Sequence, residues 1–181
     1  MQANERFLRT VVVGTSGSGK STFAAEFASR LGVEHSELDA IFWRPGWESI
    51  PVEQFIGDVA EIADRESWVI DGNYAPVRDH VWRRATAVVW LDLPLHRTFL
   101  RLLRRTIRRA TTGETCCNGN RESLKMAFLS RDSVLLWALQ SHSRYVADYT
   151  ELLRSRPELG GFRLKSDREV RDLLQQVKDP A

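Results

Sequence analysis

The chain has 181 residues, enough for one compact domain over 1–181 with a sizeable core, and is 43% hydrophobic and 28% charged, as an ordinary globular protein is. Its formal charge of +2 says little about partners, and no uncharged apolar run is long enough to cross a membrane. The two cysteines, Cys116 and Cys117, make neither a disulfide framework nor, without a second pair, a zinc site.

The N-terminus, Met1-Gln2-Ala3-Asn4-Glu5-Arg6, lacks a basic region followed by an apolar core, so no signal peptide and a cytoplasmic location are expected. Thr10 to Val13 is a continuous β-branched run and reads as a buried parallel strand. Gly14-Thr15-Ser16-Gly17-Ser18-Gly19-Lys20-Ser21 follows, then a helical pattern over Ser21 to Leu31 that Gly32 stops. The loop fits G-x-x-x-x-G-K-[ST], and strand, loop and helix come in the order that motif requires. Its glycines let the backbone approach phosphates closely, and its N–H groups converge at a helix start. Lys20 supplies charge to the β/γ-phosphates, and Ser21 offers a hydroxyl to Mg²⁺. A nucleoside triphosphate, read as ATP, is therefore expected at Gly14 to Ser21 and Thr22.

Val33 to Leu38 reads as a second, more polar strand with Asp39 at its C-terminal end, which faces the ligand crevice in open α/β sheets. Asp39 to Trp47 reads as a loop around Pro45-Gly46. Its tryptophans either pack the loop onto the domain or form an apolar wall for an acceptor beside Arg44. A helix opens at Pro51 with Phe55, Val59, Ile62 and Ala63 on one face. Ser67 to Ile70 is the third strand and ends in Asp71-Gly72-Asn73-Tyr74. Asp71 is a candidate for holding Mg²⁺, directly or through water, the alternative being a simple Asp-Gly turn. A short helix over Val77 to Arg84 follows, and Arg78 points into the site or into solvent.

Thr86 to Leu91 is the fourth strand, ending in Asp92-Leu93-Pro94. A long helix then places Phe99, Leu103, Ile107 and Ala110 on one side and Arg97, Arg101, Arg104 and Arg108 on the other, with Arg105 beside them. No acid lies between Asp92 and Glu114. A row of like charges is costly without an anion to face, so Arg104 and Arg108 are expected to serve a transferring phosphate rather than a solvated surface. Thr111 to Asn120 reads as a loop, either a mobile lid or a passive surface segment. Arg121 to Leu129 and Arg131 to Leu153 read as helices, Gly160-Gly161 as a turn, Phe162 to Leu164 as a fifth strand, and Asp167 to Val177 as a last helix capped by Ser166 and Glu169. Strands alternating with helices imply a parallel sheet covered on both faces.

The pieces GTSGSGKST, Leu38-Asp39-x-x-Phe42-Trp43-x-Pro45-Gly46-Trp47, Trp68 to Tyr74, Trp90 to Pro94, Asn120-Arg121-Glu122, Ser130 to Ser133 and Arg163-Leu164-x-Ser166 cover nearly the whole chain. Together they resemble the adenylate-kinase-like P-loop kinases, and within them a bacterial subgroup often labelled topology modulation proteins. The resemblance implies a three-layer P-loop NTPase fold with a five-stranded parallel sheet of order 2-3-1-4-5. It also implies an acceptor site near the second strand and a helical, arginine-rich lid over about 97–130. It places Asp71-Gly72 where adenylate kinases carry an Asp-Gly that serves Mg²⁺. The sequence departs from them in having Asn73-Tyr74 where Phe-Pro-Arg would follow.

The expected activity is transfer of the γ-phosphoryl group from ATP to a nucleotide or small hydroxyl acceptor, with Lys20, Asp39, Asp71, Arg104 and Arg108 as catalytic residues and Ser21 and Asp71 as metal ligands. Asp39 would act as base or orienting group, as acids at this position do in related sugar and shikimate kinases. The alternative is a regulatory nucleotide-binding protein acting on DNA topology through the arginine helix. Nucleic acid is the less favoured partner, since the net charge is small and no DNA-binding module is visible.

Overall fold

The structure, a computed structural model, describes residues 5–129 and 133–177. Its strands in chain order are β1 (Arg9–Gly14), β2 (His35–Glu37), β3 (Trp43–Arg44), β4 (Glu48–Ser49), β5 (Trp68–Asp71), β6 (Ala87–Leu91) and β7 (Gly160–Leu164). β3 and β4 form an antiparallel hairpin. The other five make one parallel sheet in the order β2-β5-β1-β6-β7, which is the expected 2-3-1-4-5 once the hairpin is set aside. The helices are α1 (Lys20–Leu31), α2 (Leu38–Phe42), α3 (Val52–Ala63), α4 (Arg78–Arg84), α5 (Leu95–Thr112), α6 (Leu124–Leu129), α7 (Val134–Ser155) and α8 (Asp167–Gln176).

Alternation along the strands divides the core in two. Val11, Val13, Ile70, Val88 and Trp90 face α3, α4 and α7, where Phe55, Val59, Trp82 and Tyr149 meet them. Val12, Val69, Val89 and Leu91 face α1 and α8, through Phe23, Phe27, Leu173 and Leu174. Phe27 meets Phe7 edge to face and stacks on Phe23, each at 5.1 Å between ring centroids. Each such buried ring stabilises the fold by roughly 1.5–3 kcal/mol, so α1 is held rigidly beneath the loop that precedes it. Because all five main strands are parallel, their C-terminal ends, at Gly14, Glu37, Asp71, Leu91 and Leu164, share one edge.

Several boundaries differ from the sequence expectation, for tertiary reasons. β2 stops at Glu37, and Asp39 lies in the first turn of α2 rather than at a strand end. Leu38 turns inward there, 3% exposed, against Gly72. The expected loop over 39–47 is instead α2 plus the hairpin. The expected Gly160-Gly161 turn is the start of β7, where Gly161 packs so closely on Leu153 that a Cβ would lie 2.8 Å from its Cδ2. Arg121 is bridged to Thr115, so α6 begins only at Leu124.

On α5 the buried residues are Thr98, Leu102 and Thr106, while Ile107 stays 42% exposed. The helix serves two neighbours, α7 through Phe99, Leu102 and Leu103, and the glycine loop through Thr98 and Leu102. Its buried face is therefore rotated from the one its apolar residues alone define. Ser133 caps α7 by accepting from the Leu136 N–H. The quoted residues Ser130, Arg131 and Asp132 lie outside the described residues. Ser166 caps α8 by accepting from the Glu169 N–H, as expected.

Candidate active site

α1 starts at Lys20 behind Gly19, which has a left-handed conformation and offers no side-chain cap, and no acid occupies the first turn. The first-turn N–H groups and the positive end of the helix dipole are thus left for an anion. Gly17 has φ +82°, and a Cβ there would overlap the Thr98 carbonyl and stand 2.9 Å from Leu102 Cβ. The glycine is what lets α5 lie directly on the loop. Thr15 and Ser18 are buried, Ser16 is half-buried, Thr22 is exposed, and Ser18 N–H donates to Thr15 O at 3.0 Å.

Two strand-end carboxylates, Glu37 and Asp71, lie beside this loop, with Asp39 in the first turn of α2 next to them. The Ser21 hydroxyl donates to Glu37 Oε1 at 3.2 Å. Burial raises the Glu37 pKa, repulsion by Asp71 and Asp39 raises it further, and the Ser21 hydroxyl and Lys20 oppose the rise. Asp71 pairs with Glu37 in the β2–β5 register and is 0% exposed. Neither of its carboxylate oxygens has a hydrogen-bond partner. His35 Nε2, 3.9 Å from Asp71 Oδ1, is likewise buried and unpartnered. An uncompensated buried carboxylate costs several kcal/mol, so this group calls for a cation. Oxygen donors from one or two carboxylates and a hydroxyl suit Mg²⁺, which keeps part of its water shell, and Asp71, Glu37 and Ser21 provide them. Among the described residues, no group of three or more His, Cys, Asp or Glu forms a complete metal cage.

The Asp71-Gly72-Asn73-Tyr74 stretch fastens the site together. Gly72 has φ +140°, and a Cβ there would lie 2.7 Å from Leu38 Cβ. Asn73 Nδ2 donates to Gly14 O at 2.7 Å, and its Oδ1 accepts from Gly14 N–H at 3.4 Å and from the Tyr149 hydroxyl at 2.8 Å. It thereby clasps the entry of the phosphate loop and ties it to α7. The Tyr74 hydroxyl donates to Asp39 Oδ1 at 2.7 Å. Burial, and then Asp39, push the Tyr74 pKa far up, so the phenol keeps its proton and fixes that carboxylate oxygen. Arg78 is half-buried and lines a small crevice with Tyr74, Trp82 and Tyr149. Arg44 is exposed and reaches Gln54 at 3.4 Å.

The arginine row is compensated by acids from other elements. Arg101 Nη2 lies 2.8 Å from both carboxylate oxygens of Asp167. Arg108 pairs with Glu114 at 3.0 Å, and Arg109 with Glu122 at 2.9 Å. Among the described residues no carboxylate pairs with Arg104. Arg101, Arg104, Arg105 and Arg108 line one open groove. Arg105 and Arg109 are less exposed, each with a buried Nε that lacks a hydrogen bond. Burial lowers the Arg105 pKa, as does repulsion from Arg109, while Glu122, Cys116 and Asp39 oppose the shift. Burial, the adjacent Cys116, Asp39 and Glu37 push the Cys117 thiol up to about 12.

Of the residues singled out from the sequence, Lys20, Ser21, Asp39 and Asp71 come together, while Arg104 and Arg108 lie along the groove with more exposed side chains. Glu37, Asn73, Tyr74, Tyr149 and Arg105 were not assigned these contacts. Glu37 was hidden because the strand was read through to Leu38, one residue past its end, which moved the strand-end acid to Asp39. Arg105 was visible only as a neighbour of the row, because its burial depends on where α6 and Glu122 lie.

No protein-family model and no curated protein matches the chain. Solved structures do. Shikimate kinase from Bacteroides thetaiotaomicron is 17% identical, with 93% of this chain and 95% of that one covered and a TM-score of 0.54. A gluconokinase from Sinorhizobium meliloti is 19% identical, with 96% and 91% covered and a TM-score of 0.53. Shikimate kinase from Acinetobacter baumannii, solved with shikimate, is 18% identical, with 95% and 92% covered and a TM-score of 0.53. The chain therefore has the α/β fold of the P-loop kinases. No described helix is long and apolar enough to cross a membrane.

Proposed function

We propose that this chain is an ATP-dependent phosphotransferase acting on a small hydroxyl-bearing molecule. One arrangement carries the reading: Ser21 of the phosphate loop bonds to Glu37 while Asp71, beside it, stays buried without a partner. A glycine loop alone binds anions. A glycine loop faced by strand-end carboxylates suits a triphosphate together with its cation. Asp71 and Ser21, with Glu37 adjacent, would hold Mg²⁺, which when bound neutralises charge on the β- and γ-phosphate oxygens.

The loop N–H groups and the start of α1 bind and orient the phosphates, and Lys20 adds a fixed charge. Asp39, with one oxygen held by Tyr74, presents the other to an acceptor hydroxyl. The acceptor oxygen forms the new bond to the γ-phosphorus, the bond to the β–γ bridging oxygen breaks, and Asp39 takes the hydroxyl proton. Arg105, with Arg109 behind it, faces the transferring group, and Arg104 and Arg108 add positive potential along the groove. The Cys117 turn covers the cleft against water.

The finer family placement rests on the Phe42-Trp43-x-Pro45-Gly46-Trp47 and Asp71-Gly72-Asn73-Tyr74 stretches, which support membership of the topology modulation subgroup. A direct role on DNA is less favoured. Asp167, Glu114 and Glu122 partly neutralise the row. The test is ADP formation from ATP and Mg²⁺ over a panel of sugar acids, sugars, hydroxy acids, nucleosides and nucleotides. Shikimate and gluconate come first, since similar folds bear those names. Stimulation by one acceptor class is expected. Nucleotide binding with no stimulation by any acceptor, together with tight DNA binding, would overturn the reading.

A further inference from the structure

The segment after α5 is anchored to the hairpin. Thr115 and Arg121 pair across a single turn over Cys117–Gly119. Asn120 closes that turn at 3% exposure. Its Nδ2 donates to Arg44 O and to Cys117 O, both at 2.9 Å, and its Oδ1 accepts from Trp47 N–H at 2.8 Å. Asn118 Nδ2 donates to Ala40 O and Trp43 O, and the Trp47 indole donates to Arg121 O at 3.0 Å. Trp47 has φ +61°, which a bulky residue adopts only when its surroundings hold it there. On the other side of the joint, Glu122 bonds to Arg109 and lies 3.9 Å from Arg105. Asn120, Arg121 and Glu122 are consecutive, so the chain runs from the acceptor-side hairpin to two arginines with no flexible residue between. A buried amide with both ends satisfied fixes such a joint, because any shift leaves a buried polar atom unpaired.

We propose that Asn120 is a positioning residue that couples the β3–β4 hairpin to the Arg105–Arg109 pair, so that a nucleotide held at the phosphate loop is sensed at the acceptor wall. The inference rests on the triphosphate reading above. None of the hairpin residues belongs to the phosphate loop, so an effect of nucleotide on the hairpin travels through the Asn120 joint, back through α2, or through α3 at Gln54. The coupling exists because bound phosphates favour one placement of Arg105 and Arg109, and Glu122, Arg121 and Asn120 pass that preference to Trp47.

The test is hydrogen–deuterium exchange on the whole chain, with and without the non-hydrolysable analogue AMP-PNP and Mg²⁺. In the wild type the analogue is expected to slow exchange over 14–21, 43–49 and 115–122. Asn120→Ala is expected to keep the slowing over 14–21 and to cut that over 43–49 by about five-fold, as loss of one or two buried hydrogen bonds implies. Trp47→Phe, which keeps the Asn120 bonds but removes the indole bond and part of the ring contact with Trp43, gives a smaller loss in the same place and decides the matter if Asn120→Ala does not fold. Full slowing over 43–49 in both variants, or none there in a wild type that is slowed over 14–21, overturns the coupling. Absence of slowing over 14–21 in the wild type overturns the triphosphate reading and the coupling with it.

Discussion

Ser21 donates its hydroxyl hydrogen to Glu37 Oε1 at 3.2 Å, which joins the first turn of α1 to the last residue of β2. Burial first, and then repulsion by Asp71 and Asp39, raise the Glu37 pKa above its ordinary 4.5 against the opposing effect of the Ser21 bond.

The pH consequence follows in sign. In the window just above 4.5 the folded chain holds a proton on Glu37 that the unfolded chain has released. Stability from this group is full below the ordinary value and is lost as pH rises through the raised one. Glu37→Gln is therefore expected to raise Tm of the metal-free protein at pH 7 and to leave it unchanged near pH 4, measured by calorimetry. A lower Tm at pH 7 would show that Glu37 stabilises the fold rather than straining it.

Lys20→Ala is expected to abolish or severely weaken triphosphate binding with the fold intact. Titration with a fluorescent ATP analogue and a circular dichroism spectrum check the two halves. Equal affinity would remove Lys20 from the phosphate site.

Asp71→Asn is expected to reduce Mg²⁺-dependent turnover far more than nucleotide binding, by a few kcal/mol of transition-state stabilisation. Because the wild-type carboxylate is buried without a partner, the same change is expected to stabilise the metal-free protein by about 1–3 kcal/mol. Unaltered Mg²⁺ dependence would make Asp71 a turn residue only.

Single alanine replacements across α5 distinguish the two uses of its arginines. Arg105→Ala is expected to cut turnover with the identified acceptor by about 10³-fold, on the scale of an arginine finger, and lysine to rescue only in part. Arg101, paired with Asp167, and Arg104 and Arg108, lining the open groove, are expected to give milder losses. Uniform small losses with a graded fall in DNA affinity at two salt concentrations would favour the nucleic-acid reading.

Cys117, its thiol pushed up to about 12, is expected to alkylate with iodoacetamide at pH 8 far more slowly than a free cysteine. Mass spectrometry of the tryptic peptide checks it, and rapid modification would show an open, solvated turn.

The phosphate loop and the parallel sheet were legible in the sequence from local chemistry: glycines and a lysine at fixed spacing, and β-branched runs alternating with amphipathic segments. Lys20, Ser21 and Asp71 were legible for the same reason, since each sits at the end of a strand or the start of a helix that its own sequence defines. The 2-3-1-4-5 order came from the family resemblance alone, since local patterns do not say which strands are neighbours.

What the tertiary structure decided was every relationship between segments distant in the chain. Glu37 reaches Ser21 only because β2 lies beside β5, and β2 stops two residues before Asp39 because Leu38 turns under Gly72. Asn73 was a departure from a family pattern until Gly14 and Tyr149 supplied its partners. The face of α5 was set by Gly17 on one side and α7 on the other, which left Arg105 and Arg109 half-buried and Ile107 exposed. Periodicity reports which residues share a side of a helix. Which side is buried, and which charge is neutralised, depends on neighbours that a single segment does not encode.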